Sequence, residues 1–283
     1  MPDATQVSSI IMRAHETDSL LGNSSPPSDN HGVKSKSTSH FAADISPANT
    51  EFILLFCYTL TGILDSSAVL IWGSFVSMQT GNTVYLGLGA IGADPSTRWY
   101  RAATSIASFC VGSLCFSSFH RWAGAPRRRW VLCCSFLIQL LCVAAAATIA
   151  TVETSKPGLD WQILVPMALV AFQSSGQAVS SRVLNRNSLT SVVLTSVYCD
   201  LFSVSLVPEP AHAHTHTHTQ ASRKFGAEDL KRLSAIVCLV LGVVVGGLWA
   251  KSSVNIIGAL WMVVLGKAFI VLAWVFWKEE NQI

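Results

Sequence analysis

Long apolar blocks alternate with short polar ones along most of the chain. Six blocks, 52–73, 102–119, 130–150, 161–181, 233–250 and 255–277, are long enough to cross a bilayer, which takes about 20 mostly apolar residues in a helix. Tryptophans fall at many block ends (Trp72, Trp130, Trp161, Trp249, Trp277), where an amphipathic ring sits best between hydrocarbon and water. Gly242 and Gly246 leave one helix bare enough for a close neighbour. Two further segments, 75–93 and 188–207, mix apolar residues with Ser, Thr, Asn and Asp, so each either spans or enters the membrane partway. The pattern predicts an all-α integral membrane protein with about six full transmembrane helices and two partial or re-entrant segments.

Composition agrees. Of 283 residues, 51% are hydrophobic and only 12% charged, with a mean hydropathy of +0.45. Soluble domains carry about 25% charged residues, so this chain lacks the polar surface to dissolve in water. The net charge of +3 is small and scattered, which argues against nucleic acid as a partner. The eight cysteines lie almost entirely in apolar blocks without CxxC spacing, and there they serve as small hydrophobes. Residues 1–50 hold ten Ser and four Pro and no apolar run, which predicts a disordered cytoplasmic tail without a signal peptide. Residues 51–280 form the multi-pass membrane domain. Within the tail, Glu16 to Leu21 fits an acidic dileucine pattern, a sorting address for vacuolar or endosomal membranes; the plasma membrane is the alternative.

Charge also orients the bundle. With the N-terminus in the cytoplasm and six spans, fourteen Lys and Arg fall inside and four outside. With eight spans the division is eleven to seven, and Arg127, Arg128 and Arg129 land on the wrong side, so six spans are favoured. The two halves also resemble each other faintly. "TGILDSSAVL" and "SGQAVSSRVL" each open a half, and each precedes a Ser/Thr-rich segment. Three spans per half would invert the second half relative to the first, as in transporters with a site at the repeat interface.

The polar residues inside apolar blocks are the candidate site. Asp65 lies well within the first block and Lys267 within the last; burial of either is costly, so each should face the interior. A pair between them would lower both costs, with Asp200 as the rival partner of Lys267. In Gln79-Thr80-Gly81-Asn82-Thr83, Gly81 lets the chain turn, while Thr80, Asn82 and Thr83 supply neutral donors and acceptors. A half-helix there would aim its N-terminus at a polar or anionic solute; a plain surface turn is the alternative. Gln173 and Gln177 would form the opposite wall. His212, His214, His216 and His218 alternate with Ala and Thr in a loop spanning 208–232. Imidazoles can bind metal, but such alternation also arises by repeat slippage, and a flexible, neutral loop is expected.

The stretch "GILDSSAVLIWGSFVSMQTGNTVYLGLGA" resembles the signature of the YoaK-type family, multi-pass membrane proteins carrying a domain of unknown function. "LVAFQSSGQAVSSRVL", "LGVVVGGLWAKSS" and "ALWMVVLGKAFIVLAWVFW" resemble the later signatures of its fungal-type members. The resemblance spans residues 50–280, and the His-rich loop departs from it as an insertion. It implies a helical membrane bundle and brings no established substrate.

No HExxH, Walker A loop or GxSxG is present, and His120 is the one histidine beside a span, so an enzyme is not expected and no cofactor is implied. The reading is a small-solute transporter or channel with a polar midplane site, whose partners are the bilayer and a small polar solute. A non-transporting scaffold or sensor is the alternative. In the expected topology, a single cysteine at position 156 is labelled from outside in intact cells, whereas one at position 225 is not. Labelling at 225 would overturn the six-span threading.

Overall fold

The structure is a computed structural model that describes residues 45, 46, 50–93, 96–124, 127–152, 161–186, 194–202 and 226–277. Eight helices follow in order: α1 Thr50–Ile71, α2 Gln79–Ala90, α3 Arg98–Ala123, α4 Arg129–Val152, α5 Trp161–Val183, α6 Leu194–Phe202, α7 Ala227–Lys251 and α8 Asn255–Val275. Six of them, all but α2 and α6, are long and apolar enough to cross a membrane. The protein is an integral membrane protein of the all-α class. With 12 residues, α2 rises about 18 Å, well short of the roughly 30 Å hydrocarbon core, so it is too short to cross. The described part of the second ambiguous segment is α6, nine residues long.

Polar chemistry sets the helix ends. α3 stops at Gly124, whose φ of 64° lies in the left-handed region, and its N–H closes onto the Arg121 carbonyl. α5 ends similarly at Asn185, φ 56°, with the Arg186 N–H donating to the Ser181 carbonyl at 2.9 Å. α7 begins earlier than the apolar pattern predicts. Residues 227–232, expected as the end of the His-rich loop, form its first turns. Asp229 explains the difference: its carboxylate accepts from the Gly226 N–H at 3.0 Å and from Arg232 Nη1 at 3.0 Å, so this charged turn is capped and paired. The His tract itself, the dileucine pattern and the tail up to residue 44 lie outside the described residues.

Both ends of the membrane domain meet at one face. Trp277 Nε1 donates to the Ser46 carbonyl at 3.1 Å, and the Ile45 N–H donates to the Arg127 carbonyl at 3.0 Å. At the same face Glu51 bridges Arg186 at 2.9 Å and Lys231 at 2.8 Å, tying α1 to the end of α5 and the start of α7. Termini on one side are what an even number of crossings requires.

The helix packings come in pairs. α1 lies along α7 as α5 lies along α3; α1 touches α8 as α5 touches α4; α2 rests on α3 as α6 rests on α7; and α4 lies against α8. Exchanging the two halves maps this set onto itself, as the repeat in the sequence anticipates. Glycines make both long seams. A Cβ at Gly242 would collide with the Thr59 carbonyl, and one at Gly62 with the Leu239 carbonyl; across the other seam, one at Gly112 would meet Ser175 and the Phe172 carbonyl. Such contact lets backbones approach closely where no hydrophobic effect drives helices together. α1 and α5 are the inner helices, with 61% and 67% of their central windows buried, against 17% for α7 and 22% for α3.

Gly62→Ala and Gly242→Ala each push backbone against backbone, so each should cost about 1–3 kcal/mol and lower the melting temperature in detergent. Gly87, around which a Cβ meets nothing within 4 Å, is the control. Gly87→Ala should leave stability within about 0.5 kcal/mol; equal losses at all three positions would refute the close-packed seam.

Candidate functional site

Lys267 stands near the middle of α8 and is 0% exposed. Its ammonium donates to Gln139 Oε1 of α4 at 2.7 Å and to Gln177 Oε1 of α5 at 2.8 Å. It also stands 5.3 Å from the centroid of the Phe136 ring, whose electron-rich face attracts a cation. Gln177 passes the network on. Its Nε2 donates to Thr61 Oγ1 at 2.8 Å and to the Cys57 carbonyl at 3.1 Å, both on α1. Four spans, α1, α4, α5 and α8, therefore meet at one lysine through neutral partners. One group is left over: the buried Gln139 Nε2 has no partner among the described residues. The cluster thus holds a positive charge and a spare donor.

Asp65 is elsewhere, and the expected pair with Lys267 is not formed. The Asp65 carboxylate turns toward the loop that follows α1. Its Oδ1 accepts from the N–H groups of Val76 and Ser77, each at 2.9 Å, and its Oδ2 accepts from the Ser77 hydroxyl. Free backbone N–H groups just before a helix attract an anion, and the anion here is the protein's own. The reason for the different partner is proximity: amides 11 and 12 residues along the chain return to Asp65 before Lys267 can.

The same loop explains the polar block. Asn82 is fully buried and clasps Phe75 on both sides, with the Phe75 N–H donating to Oδ1 at 3.0 Å and Nδ2 donating to the Phe75 carbonyl at 2.8 Å. Its Nδ2 also donates to Gln79 Oε1 at 2.9 Å. Ser105 of α3 supports the turn by donating to the Phe75 carbonyl at 2.8 Å. Gly81 packs against the Phe75 ring, where a Cβ would stand 2.7 Å from ring carbon. Thr80 and Thr83 are exposed, and the Thr83 hydroxyl donates to the Gln79 carbonyl. The block Gln79 to Thr83 thus holds α2 in position.

The remaining candidates separate. Asp200 on α6 lies 3.7 Å from Arg232 and is half exposed, away from Lys267. Gln173 is buried one turn before Gln177 and donates to Ser174 Oγ at 3.0 Å, leaving its Oε1 without a partner among the described residues. All eight cysteines are free thiols. No group of three or more His, Cys, Asp or Glu suited to a metal occurs among the described residues, and the His tract falls outside them. Sequence reasoning missed Gln139 and Phe136. The signal was available for Gln139, a lone polar residue in the apolar run "SFLIQLLCV".

Six apolar spans enclosing a buried, hydrogen-bonded cation define a polytopic α-helical membrane protein with a polar interior. The chain belongs to the family described as "Protein of unknown function (DUF1275)", whose model matches residues 53–273, from α1 to the last turn of α8. No curated protein and no solved structure matches the chain.

Asp65 and Lys267 share no hydrogen-bond partner. Their substitutions should therefore add, to within about 0.5 kcal/mol in a double-mutant cycle of Asp65→Asn and Lys267→Met. Asp65→Ala should be the more harmful change at that site, because each buried N–H left unpaired costs about 1–3 kcal/mol. Recovery of stability in the double variant would show that the two charges couple.

Proposed function

We propose that this protein moves a small polar solute across the membrane, as a transporter or channel, with the Lys267 cluster as its midplane site. The observation that supports this reading is a fully buried lysine held by two glutamines. An ion in a low-dielectric interior is costly even when hydrogen-bonded, and well-packed apolar residues of similar volume commonly give equal or greater stability. A bundle that only needed to cohere could place apolar residues where Lys267, Gln139 and Gln177 stand. Ionisable groups within spans accordingly tend to mark solute or ion pathways. The spare Gln139 donor favours a solute bearing acceptor oxygens.

Within its family we read the chain as a YoaK-type, fungal-type member, on the motifs around Thr80 to Thr83 and Gly176 to Leu184. The plasma membrane and a vacuolar or endosomal membrane both suit the bundle, and imaging of a tagged chain with and without Leu20 and Leu21 distinguishes them.

Uptake into liposomes containing the purified protein, screened across solute classes, tests the reading. Lys267→Met should still fold, with a lowered melting temperature, because it leaves the buried Gln139 and Gln177 oxygens without their donor at about 1–3 kcal/mol each. It should also lower uptake roughly tenfold or more, since a hydrogen bond to a charged group contributes about 1.5–3 kcal/mol. Unchanged uptake in a folded Lys267→Met variant would sink the proposal and favour a scaffold or sensor.

A further inference from the structure

A second polar feature lies apart from Lys267. Where α3 and α5 end, Ser117, His120, Arg121, Val179, Arg182 and Val183 line a cavity of about 460 Å³. Two guanidinium groups stand at its exposed edge, and no carboxylate among the described residues lines it. Acids among the described residues are engaged elsewhere: Glu51 with Arg186 and Lys231, Glu228 with Lys231, Asp229 and Asp200 with Arg232. Arg121 Nη2 makes one bond, to Ser118 Oγ at 3.2 Å, which leaves most of its donors available.

Basic residues in the last turn of a helix have an ordinary explanation, since they offset the partial negative charge of the unpaired carbonyls there. That accounts for Arg121 and Arg182, but not for His120. Its side chain is only 4% exposed, yet neither Nδ1 nor Nε2 has a partner among the described residues. A buried polar group without a partner costs about 1–3 kcal/mol. His120 lines the cavity that has two guanidinium groups at its edge, and an anionic ligand there offers its buried ring the partner it lacks.

We propose that this cavity binds a phosphate group. Guanidinium groups match phosphate oxygens in paired, near-parallel hydrogen bonds, so Arg121 and Arg182 clamp the group from the open side. His120 donates a third hydrogen bond from the closed side, and Ser117 lies within the same lining. Such a group arrives either on a lipid headgroup at this face or on a free phosphate or phosphorylated solute. The site does not depend on the transport reading, because its residues are separate from the Lys267 cluster.

The full-length protein serves for the test. In detergent, sodium phosphate is compared with sodium chloride and sodium acetate at equal ionic strength, read as thermal shift. In a second arm, native mass spectrometry compares binding of phosphatidic acid with that of diacylglycerol, which lacks the phosphate. The first arm reports free phosphate, the second a headgroup. The proposal predicts selective binding in at least one arm, weakened roughly tenfold or more in Arg121→Gln/Arg182→Gln and in His120→Phe, each a loss of charged or buried donors. The two arginines are exposed, so their replacement leaves the fold intact, and circular dichroism checks this for all variants. Stabilisation by acetate equal to that by phosphate, binding unchanged in the folded arginine variant, or no selective binding in either arm overturns it.

Discussion

In hydrocarbon there is no water to give or accept a hydrogen bond, so every polar group in the bundle must find its partner inside the protein. The arrangement follows from how far each side chain reaches. Hydroxyls are short, and many turn back on their own helix: Thr61 to Cys57, Ser66 to Gly62, Ser174 to Val170, Ser180 to Gly176; others cross where another backbone comes close, as Ser67 does to Gly246. Amides are longer and cross between elements, as Gln177 does to α1 and Asn82 to the loop before α2. The lysine is longest, and from α8 it reaches both α4 and α5. Helices rich in such groups must lie inside, which is why α5, with Gln173 through Ser181 all buried, sits at the centre while apolar α7 faces outward.

The six spans were legible because length and apolarity are properties of the segment itself. Helix ends at 52–73 and 161–181 fell within two residues of α1 and α5. The start of α7 was not legible from apolarity, since Glu228, Asp229, Lys231 and Arg232 read as loop until their pairing with one another and with Glu51 is seen. Candidate polar residues were legible one by one, because each stood out against apolar neighbours. Their partners were not. Pairing Asp65 with Lys267 rested on opposite charge and comparable depth within the spans, and neither says which groups come within reach. Backbone amides compete for a carboxylate as strongly as a lysine does, and they carry no mark in the sequence.

The lysine cluster and the Asp65 clamp also illustrate two fates of buried charge. The carboxylate is surrounded by donors within a dozen residues of chain, so its role is local and architectural. The ammonium on α8 is held by side chains from two other helices, α4 and α5, and leaves the Gln139 amide incomplete. A group whose surroundings depend on the relative placement of several helices senses any rearrangement among them; a group clamped by its own loop does not.

The paired packings of the two halves bear on motion. A displacement that parts α1 from α7 has a counterpart, under exchange of halves, that parts α5 from α3. α1 and α5 run in opposite directions, as the bond between Glu51 at the start of one and Arg186 beyond the end of the other shows, so the two displacements open toward opposite sides of the membrane. The exchange thus pairs each motion of one half with a counterpart in the other, and it leaves the α4–α8 contact in place.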